Sequence, residues 1–352
     1  SYGMVIGYCR GDHFPNVLYG YVMLAVIGGL YGCIGGGFLG LGLETTESKQ
    51  PKWAQLLTEM VAGGMLAWGL LIYQLEWFMT PPRSELWAAC LGAAIAMIWY
   101  MVRNKFDRAL RVAIYSMLGA GFGFSFGNFI QGLGQASGLS YNWWNVMEFI
   151  LGLSGGIAMA YAVATTKWEK TMQPSRTVQN LSIIFIFLIL PLVNYFSGFT
   201  EEKIRDLAEN LSVSDIDSFV LFQHIEAWLS ITLFAAIGIA AWWQRASDRL
   251  QKWFSFVMLS SLSLCYTLLA LIHKGFFHIE LSIKNSITLY LPILFLAVWL
   301  GTSITQPWLN SSNSAGNKKI WQLVAGMTIC IILIALISIY INNPTDRTPQ
   351  RF

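Results

Sequence analysis

Two glutamates stand inside otherwise apolar stretches: Glu59, six residues after Trp53, and Glu148, just after Trp143 and Trp144. A carboxylate in hydrocarbon is costly unless it is paired or hydrated, so an acid in such a place is by default a functional group. Loss of water raises its pKa towards neutrality, which suits it to take up and release protons. Glu59 and Glu148 are therefore read as proton- or cation-coupling groups. The structural alternatives are a place near the headgroups, a helix cap, or a pair with an arginine such as Arg111.

Each glutamate follows a helix striped with glycine. The first stripe is Gly28, Gly32, Gly36 and Gly40, and the second is Gly119, Gly123 and Gly127. An offset of about 91 positions places Gly28 on Gly119, Phe38 on Phe129 and Trp53 on Trp144, and about 89 places Glu59 on Glu148. Spacing by four sets every glycine of a stripe on one helix face, where two backbones can approach closely. Asn128 and Gln131 add amides to the second stripe, and Asn145 opens the helix that carries Glu148. A seam lined by Gly32, Gly36, Gly123, Gly127, Asn128, Gln131 and Asn145 is the candidate pathway for a polar solute. Plain helix crossing is the alternative use of the glycines.

A third group reads as a polar cluster on the outer face. Arg10, Asp12 and His13 precede the first span, Trp144 lies at the start of the fifth, and His224 and Glu226 open the seventh. Histidine and carboxylate at an aqueous mouth can relay protons, and indole can stack on a solute. His224 and Glu226 are two apart, so they point to different sides of a helix. Rim anchoring is the bland alternative for Trp143 and its neighbours. No HExxH, phosphate loop or nucleophile motif accompanies these residues.

These groups must be positioned by helices in a membrane. The chain is 55% hydrophobic and only 12% charged, against about 25% charge in a soluble domain. Apolar runs of the length that crosses hydrocarbon, about 20 residues, fall near 17–42, 53–78, 86–102, 109–134, 143–166, 181–199, 219–243, 253–273, 287–306 and 320–341. The fold class is thus all-α, a polytopic integral membrane protein of about ten transmembrane helices. Lipid leaves backbone groups no water to bond, so spanning segments must be helices, and no alternating β-barrel pattern is present.

The matching glycine stripes predict an inverted three-helix repeat within 17–199, a glycine-rich unit duplicated across the membrane. Residues 1–16 form an outer-face segment, the remnant of an upstream helix or of a cleaved signal peptide. Residues 200–218, with Glu201, Glu202, Asp206, Glu209, Asp215 and Asp217, make an acidic amphipathic connector. A four-helix bundle over 219–341 and a disordered tail over 342–352 complete the chain. Of 32 glycines, six follow residue 180, so the first half packs more closely than the second.

A net charge of +3, scattered along the chain, excludes a nucleic-acid surface. Five cysteines without CxxC spacing read as small apolar residues, and nothing in the pattern calls for a metal or cofactor. Fourteen of the 22 Lys and Arg residues fall in loops on one side, which sets the loops after odd-numbered helices in the cytoplasm and the protein in the inner membrane.

The sequence therefore points to a secondary transporter or channel-like permease for a small polar solute or ion. A membrane transferase acting on a lipid-linked acyl or glycosyl substrate is the second reading, with Asp12, His13, His224 and Glu226 as its groups. The partners expected are the bilayer, the solute, and a second copy or a complex subunit on the glycine faces.

Overall fold

The computed structural model describes residues 2–77, 86–139, 141–169, 172, 175–210, 212–244 and 317–342. Within them the chain is all-helical, and eight helices are long and apolar enough to cross a membrane. The expected spans at 253–273 and 287–306, and the tail from 343, lie outside the described residues. The helices are α1 (Tyr2–Tyr8), α2 (Phe14–Leu43), α3 (Trp53–Trp68), α4 (Leu86–Arg103), α5 (Asp107–Ala136), α6 (Trp143–Ala164), α7 (Arg176–Ile184), α8 (Leu190–Gly198), α9 (Glu201–Asn210), α10 (Ile216–Gln244) and α11 (Asn317–Ile341). They group into two compact units, α1–α6 with α11, and α7–α10.

In the first unit α2 and α5 form the central pair. The most apolar windows of α2 and α5 are 50% and 56% buried, against a third or less for α3, α4, α6 and α11. Their pairing is antiparallel and backbone-to-backbone. A Cβ on Gly28 would lie 2.5 Å from the Ala120 carbonyl oxygen, one on Gly32 would strike that of Ser116, and one on Gly40 would lie 2.6 Å from Ala109 Cα. The second stripe serves a different neighbour. Gly119 and Gly123 accept Ser154 of α6 closely, and Gly127 meets the Met147 carbonyl oxygen at 2.6 Å from its would-be Cβ. A third close pair joins Gly63 of α3 to Gly92 of α4. The helices that the 91-residue offset equates are thus used unequally: α2 turns its stripe to α5, while α5 turns the matching stripe to α6. Helices α3 and α4 form their own hairpin.

Charged side chains from either side of α2 hold the two ends of α5. Glu44, just past the end of α2 and only 4% exposed, accepts the Ala109 N–H through Oε2 at 2.8 Å. That is a first-turn amide of α5, which has no partner within its own helix. Lys49 bonds the other oxygen of Glu44 at 2.7 Å, donates to the Lys105 carbonyl at 2.7 Å, and lies over the Phe106 ring. At the far end Arg10, in the turn before α2, donates to Gln131 Oε1 at 3.2 Å. An acid at the N-terminus and a cation near the C-terminus both suit the helix dipole.

Helix α11 closes the first unit. Its Ser338 hydroxyl bonds Tyr21 Oη at 2.7 Å, and Asn342 donates to the carbonyls of Cys9 and Gly11 at 2.8 and 3.0 Å. The Arg10 turn is thereby pinned from two sides.

In the second unit α7 and α8 make one span, Arg176–Gly198, joined by a wide turn at Phe185–Ile189. Pro191 accounts for that turn: it has no N–H and its ring would strike the carbonyl four residues back, so the helix widens to admit it. The acidic connector folds as α9, with Ile204 buried beside Phe199 and Val220, Ala208 also buried, and its acids turned outward. Arg205 joins it to α10 through Asp217 at 2.8 Å and pairs with Glu201 within α9 at 2.9 Å.

Asp215 caps α10 by accepting the Ser218 N–H at 3.1 Å. Bonds from Ser218 hold its carboxyl below the ordinary 3.8. A lowered folded pKa means that the contribution is present above that ordinary value and lost as pH falls through the folded one. Hydrogen exchange is expected to show the Ser218 amide protected at pH 6 and released in acid, and Asp215→Ala to release it at both.

Candidate functional site

One group of polar residues in the first unit lies in the α2–α5 seam at the end where α2 begins. Arg10 reaches the last turns of α5 because the Arg10 turn folds back between α1 and α2; a Cβ on Gly132 would meet its guanidinium. Gln131 accepts from Arg10 and is 3% exposed. Asn128 lies one turn deeper on the same face of α5. It is fully buried, and neither its amide nitrogen nor its oxygen finds a hydrogen-bond partner among the described residues. Below it Ser125 closes its own bond, donating to the Tyr21 carbonyl at 2.7 Å. The seam beyond is shut by the glycine contacts at Gly28 and Gly32.

Arg10 makes no ion pair among the described residues. The arrangement is a half-buried cation, a glutamine fixed by it and an unsatisfied amide, in a line running into the bundle. An unpaired buried amide costs about 1–3 kcal/mol. Such a group is retained where a water or a solute completes it. His13 sits at the start of α2, 3.4 Å from the buried Asn16 amide, and Asp12 is exposed beside it. Asn145 is half-buried in the first turn of α6.

Both glutamates have polar partners. Glu59, 26% exposed, pairs with Arg103 at 2.6 Å and accepts from Gln55 at 2.8 Å. Glu148 lies on an exposed face of α6 and accepts the Trp144 indole N–H at 2.8 Å. The antiparallel order of the helices puts them at opposite ends of the bundle, so they do not share a cavity. Among the described residues the buried acid is Glu44, in the linker after α2. Its partner Ala109 is 65 residues away, and no local pattern connects the two.

Gly32, Gly36, Gly123 and Gly127 are all filled by neighbouring helices and line no open path in this state. The stripes are thus occupied within the chain. Gly152 and Gly156 of α6 differ, having nothing within 4 Å of a would-be Cβ among the described residues.

In the second unit His224 is held by a residue the sequence reading passed over. Tyr195 Oη lies 2.9 Å from His224 Nδ1 and accepts the Trp228 indole N–H at 3.1 Å. A hydroxyl that accepts from Trp228 is free to give its own proton to Nδ1, which leaves the other ring nitrogen as the N–H. Glu226 does not join this group; Gln223 donates to it at 3.5 Å. Tyr195 gives no signal in sequence because it sits in an apolar run 29 residues away.

Among the described residues no three histidine, cysteine or acidic side chains converge as a metal site. Comparison with protein-family models, with curated proteins and with solved structures gives no match in any of the three. What defines the class is the architecture itself: many apolar helices, as in a multi-pass membrane protein.

Proposed function

We propose that this chain is a secondary transporter or channel-like permease for a small polar solute, entered from the end of the bundle where α2 begins. The observation that carries it is Asn128, fully buried with both amide atoms unsatisfied beneath the Arg10–Gln131 pair. In an occluded site a solute supplies the missing partners; without one, the residue only costs stability. On this reading the glycine contacts below Asn128 are the closed gate. Glu148, which has no cationic partner among the described residues, is a better coupling group than Glu59, which Arg103 neutralises. The two stripes fit an inverted repeat as ancestry rather than as present symmetry. We place the basic loops in the cytoplasm and the protein in the inner membrane.

Asn128→Leu separates the two roles. Removing an unsatisfied buried amide should raise stability by about 1 kcal/mol, while uptake into proteoliposomes of a panel of labelled amino acids, sugars and small carboxylates should fall at least tenfold. Unchanged uptake of whichever compound the parent takes up would remove Asn128 from the pathway.

One observation favours the transferase reading. The Tyr195–His224 bond orients a ring nitrogen as an acid or base on α10, where an acyl or glycosyl transfer would need one.

A further inference from the structure

Arg10 carries a charge that nothing among the described residues balances. It is half-buried, and its one hydrogen bond there runs from Nη2 to Gln131 Oε1 at 3.2 Å. Nη1 lies over Gly132, where a side chain would collide with it. Neither Nη1 nor Nε is shut away from solvent without a partner, so the rest of the fork faces accessible space. Asp12, two residues on, is exposed and makes no ion pair with it. The end of α5 does not call for the cation either. Its carbonyls at Leu133, Gly134 and Gln135 accept from the Ser137 N–H at 3.0 Å, the Ser137 hydroxyl at 2.6 Å and the Gly138 N–H at 3.3 Å. Asn342 fixes the turn from behind through the Cys9 and Gly11 carbonyls. A held fork with open donors and no counter-ion is a site for an anion.

Depth and charge narrow the anion. Helix α5 has 30 residues, about 45 Å at 1.5 Å each, and so overhangs a hydrocarbon core of about 30 Å by about 7 Å at each end. Gln131 is five residues short of the last, Ala136, or about 8 Å, which sets it at the edge of the core. The fork therefore stands where water gives out, and an ion reaches it without crossing hydrocarbon. One cation balances one negative charge, and a second would be left unpaired in a half-buried place. The neighbours are neutral amides: Gln131 at the same level and Asn128 about 4.5 Å deeper. Asn128 is closed off in this state, with both amide atoms unpartnered. It offers one kind of donor and one acceptor, the complement of a hydroxyl.

We infer that the seam takes a small hydroxy-monocarboxylate. Its carboxylate is bound by Arg10 at the mouth, and its hydroxyl passes to Asn128 when the seam opens. A planar carboxylate matches the guanidinium fork, which a spherical halide does not. The binding step stands on Arg10, whereas the passage to Asn128 rests on the transport reading of the same seam.

The test uses the whole chain, first in a non-ionic detergent free of phospholipid. Phenylglyoxal modifies accessible arginines, and peptide mass spectrometry follows the reaction at Arg10. With ionic strength held constant by sodium chloride, lactate, glycolate or glycerate should slow it about tenfold, as a charge-assisted bond implies. Lactamide and glycerol, their neutral counterparts, should leave it unchanged, and Arg103 and Arg108, already paired with acids, should show no protection. Gln131→Leu, which keeps the cation but frees it, should weaken the protection. In proteoliposomes the protecting carboxylate should be taken up, with Arg10→Gln lowering its uptake about tenfold and Arg10→Lys less. Protection without uptake of any compound keeps the anion site and removes the transport reading. Uptake of lactamide or glycerol that Arg10→Gln does not alter keeps transport and removes the anion. No protection by the three carboxylates, or stronger protection by inorganic phosphate or by phosphatidylglycerol micelles, overturns the inference.

Discussion

Gly32→Ala is expected to destabilise the first unit by about 3 kcal/mol, the upper end of overpacking costs, whereas Gly35→Ala leaves it unchanged. The new methyl at position 32 would sit on the Ser116 carbonyl and 2.7 Å from Ala120 Cβ. Neither obstacle can rotate away, because one is backbone and the other a side chain with no rotamers. Relief requires α2 and α5 to separate along their length, which also undoes the contacts at Gly28 and Gly40. At Gly35 nothing among the described residues lies within 4 Å of the added atom. Thermal unfolding of the two variants in the same lipid measures the difference. Equal midpoints would mean that the two helices are not in backbone contact.

Lys49→Met should cost about 2 kcal/mol, below the 3–5 of a fully buried pair because Lys49 is still partly in water. The loss arises at Glu44, whose carboxylate is 4% exposed and would keep only the Ala109 N–H as a named partner. Glu44→Gln in the Lys49→Met background should recover part of it, since an uncharged amide no longer needs the ammonium. A double-mutant cycle isolates the coupling. If the two substitutions add without interaction, the pair does not hold α5.

The spans were legible because lipid imposes a simple rule: an apolar run of sufficient length becomes a helix. Eight described helices follow that rule, and even the Pro191 widening is a consequence of one residue's missing N–H. The glycine stripes were legible as packing surfaces, but not their partners. Four-residue spacing marks a face without saying which helix meets it, and so α2 on α5 and α5 on α6 looked alike. The partners of the acids were not legible, for a related reason. Hydropathy around Glu59 describes its neighbours along the chain, whereas its environment is set by Arg103, which ends the next antiparallel helix. A hairpin of α3 and α4 brings both to the same end. Tyr195 with His224, and Glu44 with α5, needed tertiary structure.

The fastening of α5 has a mechanical corollary. Its two tips are tied to the segments immediately before and after α2, so sliding one rod past the other by a helical turn would rupture both ties together. The pair must travel as a single strut. Any rearrangement within this unit has to come from the lighter helices moving about that strut.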